Sequence, residues 1–304
     1  MNNRVLVLGG DGMLGHKVFQ IFNNVFETEA SFLSLENYIS SFPIYEGVPV
    51  SRIHIGVDAL ESKSVEQCIR ETEPDLVINC IGLIKQLRGS SNHILAVRLN
   101  ALFPHRLAEI CDSINAKMIH FSTDCVFSGK NGNYKEDDIP DPVDTYGKSK
   151  LLGEVDYSQH LTFRTSIIGR EWMRSTSLLE WFLSQKGGEV KGYKNAIYTG
   201  FTTEAISKLI LKTVIEKPDT KGLWHISSNP ISKCDLLNKI KEALDLNIEI
   251  QAYNNPVCDR SLDSTAFFEK TGFKKPSWNG MIRDLVDDPT PYERWRQRNH
   301  SLAN

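Results

Sequence analysis

The stretch VLVLGGDGMLG, residues 5–15, decides how the rest of the chain is read. Four apolar residues, Val5 to Leu8, run into glycines at positions 9, 12 and 15, and a helical pattern follows over Met13 to Asn24. A strand that feeds a glycine turn at the mouth of a helix is the context a phosphate-binding motif needs. Glycine permits the tight turn and lets a pyrophosphate approach without meeting a Cβ. The helix N-terminus then offers unpaired N–H groups and positive dipole. A glycine-rich turn that binds nothing is the bland alternative, and three glycines at this spacing and place disfavour it.

Working outward, strand patterns recur at Arg52–Val57, Leu76–Ile81, Lys117–Ser122 and Leu161–Thr165, with helical patterns at Ser64–Glu71, Ile94–Ile114 and Thr145–Asp156. The runs DLVINCI and KMIHFS are apolar on both faces, as central strands of a parallel sheet are. This alternation predicts an α/β fold, a Rossmann-type doubly wound parallel sheet with right-handed crossovers. Past residue 166 the pattern loosens. Helices at Leu178–Gln185, Thr202–Glu216 and Lys233–Leu244 and short strands at Leu223–Ser227 and Ile248–Gln251 read as a smaller α+β region. The expected division is 1–165 for the dinucleotide and 166–304 for the substrate, with the two interleaving at the sheet. The tail DDPTPYERWRQRN reads as a loose extension or an interface arm.

The chain has 304 residues, 40% hydrophobic and 24% charged, with a net charge of -3. That balance describes a globular protein with room for a real core, and it carries no basic excess for a nucleic-acid polymer. No apolar run approaches the roughly 20 residues a membrane helix needs. The six cysteines form no C-x-x-C pair, so a reduced, cytoplasmic protein without structural zinc is expected.

Thr123, Tyr146 and Lys150 follow the glycine turn in the segments FSTDCVF and YGKSK. Tyr146 and Lys150 share a helix face at i,i+4, with Asp144 or Thr145 near the cap. A hydroxyl, a phenol and an ammonium in that order form a proton-relay set for carbonyl and alcohol chemistry. For the phenol to work near neutral pH, its value of about 10 must fall, and a neighbouring ammonium and a nicotinamide cation both push that way. Asp58 either accepts from an adenine amino group or caps the next helix. The second strand, EASFLS, ends in Phe32, Leu33 and Ser34, with Glu36 two positions late, so NADP and NAD both remain open. Lys85, in IGLIKQL, either meets substrate or is solvated. His16, His105 and His120 read as packing or surface residues because no partner sits at metal-ligand spacing.

With these segments in hand, the chain resembles an extended short-chain dehydrogenase/reductase, and within that group the dTDP-4-dehydrorhamnose reductase family. GGDGMLG, VINCIG, LNALFPHRLAEIC, STDCVF, YGKSKLLGE, FRTSIIG and CDRSLD match in order over most of the chain. The resemblance implies NAD(P)H-dependent reduction of the C4 ketone of a nucleotide-linked 6-deoxy sugar, with NADPH favoured and NADH allowed. It implies Thr123, Tyr146 and Lys150 as the catalytic set. Cofactor contacts follow at Gly9, Gly12, Met13, Leu14, Gly15, Asp58, Cys80, Ile81, Gly82 and Asn100, besides Tyr146 and Lys150. Substrate contacts follow at Lys85, Asp124, Cys125, Ser166, Gly200 and Arg260. Arg260 would clamp a diphosphate, a surface salt bridge being its alternative. The loop NAIYTGFTT (Asn195–Thr203) would enter the sugar pocket, with Gly200 allowing close approach.

Departures from the family pattern matter as much. Cys125 stands where a tyrosine usually faces the sugar, and Ile167 replaces a tryptophan of the same pocket, which argues against rhamnose as the product. A UDP-linked 4-keto-6-deoxy N-acetylhexosamine of surface-polysaccharide synthesis is the expected substrate, with dTDP-4-dehydrorhamnose as the other option. The family's acidic metal ligand is Lys17 here, so no magnesium is expected. The rivals are an epimerase or dehydratase on the same scaffold, and a non-catalytic dinucleotide-binding regulatory subunit. The oligomeric state stays open, a homodimer included.

Overall fold

A computed structural model describes residues 4–34, 44–84, 92–172, 175–293 and 295. The first half supplies strands β1 (Arg4–Leu8), β2 (Glu27–Phe32), β3 (Ile53–Ile55), β4 (Leu76–Asn79), β5 (Lys117–Thr123) and β6 (Leu161–Thr165). Between them lie helices α1 (Gly15–Phe22), α2 (Ser62–Thr72), α3 (His93–Ala96), α4 (Phe103–Ser113) and α5 (Thr145–Leu152). The second half runs β7 (Ile167–Ile168), α6 (Leu178–Leu183), β8 (Glu189–Tyr193), β9 (Ala196–Tyr198), β10 (Phe201–Thr202), α7 (Thr203–Glu216) and β11 (Gly222–His225). It ends with β12 (Ile231–Ser232), α8 (Lys233–Ala243), β13 (Glu249–Tyr253), β14 (Cys258–Asp259), α9 (Thr265–Thr271) and α10 (Trp278–Val286).

The large sheet is seven-stranded, in the order β11-β6-β5-β4-β1-β2-β3, with every neighbouring pair parallel. This is the doubly wound sheet the alternation predicts. Its seventh strand, β11, comes from beyond residue 165, so the second half completes the sheet as well as building on it. The remaining strands form a three-stranded sheet, β12-β9-β14, and two pairs, β10-β7 and β13-β8.

Both faces of the large sheet are buried, and the pleat sorts its side chains. Val5 and Val7 of β1, Ile78 of β4, and Ile119 and Phe121 of β5 join one cluster, with α1 residues Val18, Phe19 and Phe22. Leu6, Leu8, Val77 and Met118 point the other way, against Val65 and Ile69 of α2 and Leu107 and Cys111 of α4. A period of two on strands and of three or four on helices is what places these residues. Helix α2 buries Val65, Cys68, Ile69 and Thr72 and stops where Glu73 turns left-handed.

Three expectations need correction. The single helix predicted over Ile94–Ile114 is interrupted by a π-helical stretch at Val97–Leu102, which carries Asn100. Helix α5 stops at Leu152, because the Gly153 N–H bonds back to the Lys150 carbonyl at 3.1 Å. The tail is not loose as far as it is described. Lys17 of α1 pairs with Asp288 at 2.6 Å, Gln20 donates to Thr290 at 3.1 Å, and Tyr292 and Trp295 are buried.

Phe163 of β6 is fully buried between Phe121 and Phe267. Phe163→Ala leaves a cavity in the larger cluster and should destabilise the fold by about 3–5 kcal/mol, read as a lower urea midpoint with an unchanged slope.

Candidate active site

The parallel strands end at one edge, where Gly9, Gly12, Asp58, Cys80, Ile81 and Gly82 follow β1, β3 and β4 in loops. After β1, Gly9 adopts φ 81°, and Gly12 donates its N–H to the Gly9 carbonyl at 3.1 Å. Gly15 packs so tightly on this turn that a Cβ would overlap the Gly9 carbonyl oxygen. The helix that follows has Leu14 at its N-cap, which makes no side-chain capping bond, and its first turn holds no acidic residue. The helix mouth thus keeps N–H groups for an anion, so the residues fit a dinucleotide pyrophosphate. Cys80, Ile81 and Gly82 leave the adjacent strand β4, and Ile81 packs directly against Gly9.

Asn100 closes the other side of this loop. Its Oδ1 accepts from the Leu83 N–H at 2.8 Å, while its Nδ2 donates to the Leu83 carbonyl at 3.0 Å and to Ser149 Oγ at 3.2 Å. The π-helical turn thereby clasps the β4 loop to α5. Irregular turns of this kind recur at functional sites.

Thr123 is the last residue of β5, and its Oγ1 accepts from the Cys125 N–H at 3.1 Å. Asp144 caps α5 by accepting from the Gly147 N–H at 2.8 Å, which starts the helix one residue before Tyr146. Gly147 lies against the Cys125 backbone so closely that any Cβ there would overlap the Cys125 carbonyl. The helix therefore presses onto the end of β5, and the Tyr146 phenol hydrogen-bonds the Thr123 hydroxyl. One turn along, Lys150 Nζ donates to the Phe121 carbonyl within β5.

Burial pushes the Tyr146 phenol above its ordinary value, and Cys125, Asp124 and Asp144 add to the push, against the Thr123 hydrogen bond. The expected lowering is thus not supplied by the protein groups, and at neutral pH the phenol keeps its proton. Lys150 behaves oppositely. Burial draws its ammonium down to about 8, with the charge of Glu154 opposing.

The residues 3–290 match the model of the RmlD substrate binding domain. The chain belongs to this family. It is 34% identical over 149 residues to a probable low-salt glycan biosynthesis reductase of Haloferax volcanii, a match covering 49% of this chain and 46% of that protein. The chain thus spans about half the length of that curated relative. The beta subunit of mouse methionine adenosyltransferase 2 is 31% identical over 97% of this chain and 91% of its own length. Among solved structures, a hypothetical dTDP-4-dehydrorhamnose reductase from Sulfolobus tokodaii superposes with a TM-score of 0.73 at 25% identity. That match covers 91% of this chain and 99% of that one.

In this RmlD-family chain the expected substrate positions gather near Tyr146 in part. Asp124 and Cys125 follow Thr123 directly, in a short 3-10 turn. Arg260 is half-buried and stays cationic beside Cys125 and Asp124, its Nε donating to the Phe127 carbonyl at 2.9 Å. The Ser166 carbonyl accepts from Phe201 N at 2.9 Å, and Gly200 lies tight against Ser166 and the Tyr198 phenol. Asp58 stands at the same edge, with its Oδ1 already accepting from the Leu60 N–H at 2.8 Å. Lys85 lies outside the described residues. Lys17, at the position of the absent acidic ligand, is buried with Asp288 at 2.6 Å and Glu204 at 3.8 Å.

The motif reading does not single out Ser149, Glu154 or Tyr198. Ser149 bridges Asn100 to the Tyr146 carbonyl, to which it donates at 2.9 Å. Glu154 lies two residues past the end of α5, where its charge opposes the effect of burial on Lys150. Tyr198 holds a buried hydroxyl with no hydrogen-bond partner among the described residues, inside the loop already expected at the sugar.

Because the folded value of Lys150 (about 8) lies below its ordinary 10.5, the folded chain sheds this proton first as pH rises. Stability from this group is therefore present above pH 10.5 and lost as pH falls through 8. Lys150→Met removes the effect. The stability difference, wild type minus variant, should rise by about 3 kcal/mol at most between these limits in denaturant titrations. A flat difference would contradict a depressed Lys150.

Proposed function

We propose that this protein reduces the C4 ketone of a nucleotide-linked 4-keto-6-deoxy sugar, using NADPH in preference to NADH. The observation that carries the reading is the hydrogen-bonded Thr123–Tyr146 pair at the sheet edge, one helical turn from Lys150 and beside the glycine turn. A reduced nicotinamide dinucleotide supplies the hydride to C4 when bound. The protein's part is the proton. Thr123 orients the ketone oxygen, and Tyr146, protonated in its dry pocket, donates its phenolic hydrogen to that oxygen. The phenolate left behind is stabilised by the Lys150 ammonium, whose value of about 8 lets it replace the lost proton near neutrality. Arg260 supplies a cation for the substrate diphosphate, the chemistry to which guanidinium is suited.

Past the end of β2, Leu33 and Ser34 offer neither a carboxylate to a ribose 2′-hydroxyl nor a cation to a 2′-phosphate, so the NADPH preference rests on the family resemblance. The sugar side holds Cys125 and Ile167 in place of larger aromatic residues, which supports a bulkier substituent such as an N-acetyl group. The expected setting is surface-polysaccharide synthesis in the cytoplasm. Among the described residues no helix is long and apolar enough to cross a membrane.

A second reading is a dinucleotide-binding regulatory subunit, favoured by the full-length similarity to a methionine adenosyltransferase beta subunit. The intact Thr123/Tyr146/Lys150 arrangement supports the enzyme instead. A dehydratase is disfavoured because Cys125, not a carboxylate, follows Asp124, and net consumption of NADPH separates a reductase from an epimerase.

Tyr146→Phe separates these readings. Turnover of UDP- or dTDP-linked 4-keto-6-deoxy sugars, followed as NADPH absorbance, should fall by about 10²- to 10⁴-fold, with dinucleotide affinity nearly unchanged. Equal turnover in wild type and variant would refute the assignment. Dinucleotide binding without any keto-sugar turnover, together with a stably copurifying enzyme, would favour the subunit.

A further inference from the structure

We propose that the segment Asp288–Tyr292 is a clasp that sets the glycine turn for dinucleotide binding, with His16 and Tyr292 as its positioning residues. The proposal rests on the reading of that turn as a dinucleotide site. His16 is fully buried, one residue past Gly15. Its Nδ1 lies 2.7 Å from the Gly12 carbonyl and its Nε2 lies 2.8 Å from the Tyr292 hydroxyl. A carbonyl only accepts, so Nδ1 carries the hydrogen, and Nε2 is left as the acceptor of the Tyr292 O–H. Burial keeps the ring neutral at working pH, drawing its value down to about 3. The Gly12 carbonyl and the Tyr292 hydroxyl thus fit one tautomer, and the same hydroxyl hydrogen-bonds the Asp288 and Thr290 side chains.

The consequence for the turn follows from peptide geometry. In a trans peptide the C=O and the next N–H point in opposite directions. Pinning the Gly12 carbonyl inward on His16 turns the Met13 N–H outward, toward the helix mouth where phosphate would lie. The Gly10 carbonyl is held in the same way, by the hydroxyl of fully buried Tyr45 at 2.7 Å. His16 meets the C-terminal segment directly, and Tyr45 reaches the residues beyond it through Trp172. Tyr45 packs on Trp172, and Trp172 on Trp295, with ring centroids 6.1 and 5.8 Å apart.

The segment is attached independently of the His16–Tyr292 bond. The buried Lys17 ammonium donates to Asp288 and to Gln20, both at 2.6 Å, and Arg170 stacks 4.8 Å from the centre of the Tyr292 ring. Tyr292→Phe keeps that ring and the Lys17–Asp288 pair and deletes one hydroxyl, with its bonds to His16, Asp288 and Thr290, so the His16 background isolates the first of these.

The test measures NADPH affinity of full-length wild type, Tyr292→Phe, His16→Asn and the double variant by fluorescence titration, with NADPH KM and kcat where turnover is seen. Asparagine places an amide N–H at the Nδ1 position and needs no donor from Tyr292. Tyr292→Phe should weaken NADPH binding by about 5- to 10-fold, the worth of one hydrogen bond, raising KM for NADPH more than it lowers kcat. In the His16→Asn background the same change should have no further effect. A purely structural role would instead lower the unfolding midpoint and leave the affinity of the folded protein alone. Affinity of Tyr292→Phe within twofold of wild type, or independent additive losses in the double variant, would overturn the clasp alone. No NADPH binding by wild type would overturn both the clasp and the dinucleotide reading.

Discussion

The junction between α5 and the end of β5 is the constraint on which the site depends. An eight-residue helix has little stability of its own, so its position is set by what it packs against. Two features fix it there. Gly147 brings the helix backbone against the Cys125 carbonyl, and Lys150 reaches back along the helix to donate to the Phe121 carbonyl. A buried ammonium without a partner would be strongly unfavourable, so the Lys150 bond is an obligation that ties the helix to the strand. Thr123 and Tyr146, 23 positions apart, meet because of that tie.

Beneath this junction a polar network joins the two halves of the chain. Ser122, next to Thr123, donates to Glu154 at 2.6 Å, and Arg164 of β6 binds both oxygens of the same carboxylate at 2.8 and 2.7 Å. Arg164 continues to His225 of β11 at 3.2 Å, and His225 to the Tyr134 carbonyl at 3.0 Å. Burial, with the Arg164 charge adding to it, holds His225 to about 4, so it stays neutral and its two nitrogens keep fixed roles. A buried ion pair is weak evidence for stability. Its effect here is geometric, because it links the strand bearing Thr123, the helix region bearing Lys150 and the strand supplied by the second half.

Much of this was legible in the sequence, for identifiable reasons. β1 and β4 are short apolar runs bounded by polar or glycine residues, and β5 and β6 carry enough β-branched and aromatic residues that all four could be placed to within a residue or two. The glycine turn and Y-x-x-x-K carry their geometry in their spacing. Other features rest on contacts between residues far apart in the chain. The π-helical turn at Val97–Leu102 has no signature in local periodicity, since Asn100 is held by Leu83 and Ser149. Proline and charge in the tail resemble a loose extension, and only the partners Lys17, Gln20 and His16 reveal that it is docked. The sign of the Tyr146 shift was missed because spacing reports neighbouring charges, whereas burial, the larger effect here, is a property of the whole fold.

That sign concerns the resting state of the phenol. An epimerase or dehydratase begins by oxidising a sugar hydroxyl, and its tyrosine must start as a base. A ketone reductase begins with the tyrosine as an acid. Tyr146 sits in a dry pocket with Asp124, Cys125 and Asp144 nearby, all of which favour the protonated phenol. Lys150, drawn down to about 8, can give up a proton near neutrality where an ordinary lysine would hold it. A raised value keeps the resting phenol protonated, but it also makes Tyr146 a weaker acid and its phenolate a stronger base, so the shift by itself sets no direction. The residue after Asp124, Cys125 and not a carboxylate, disfavours a dehydratase, while the protonated phenol is the form in which a ketone reduction would begin.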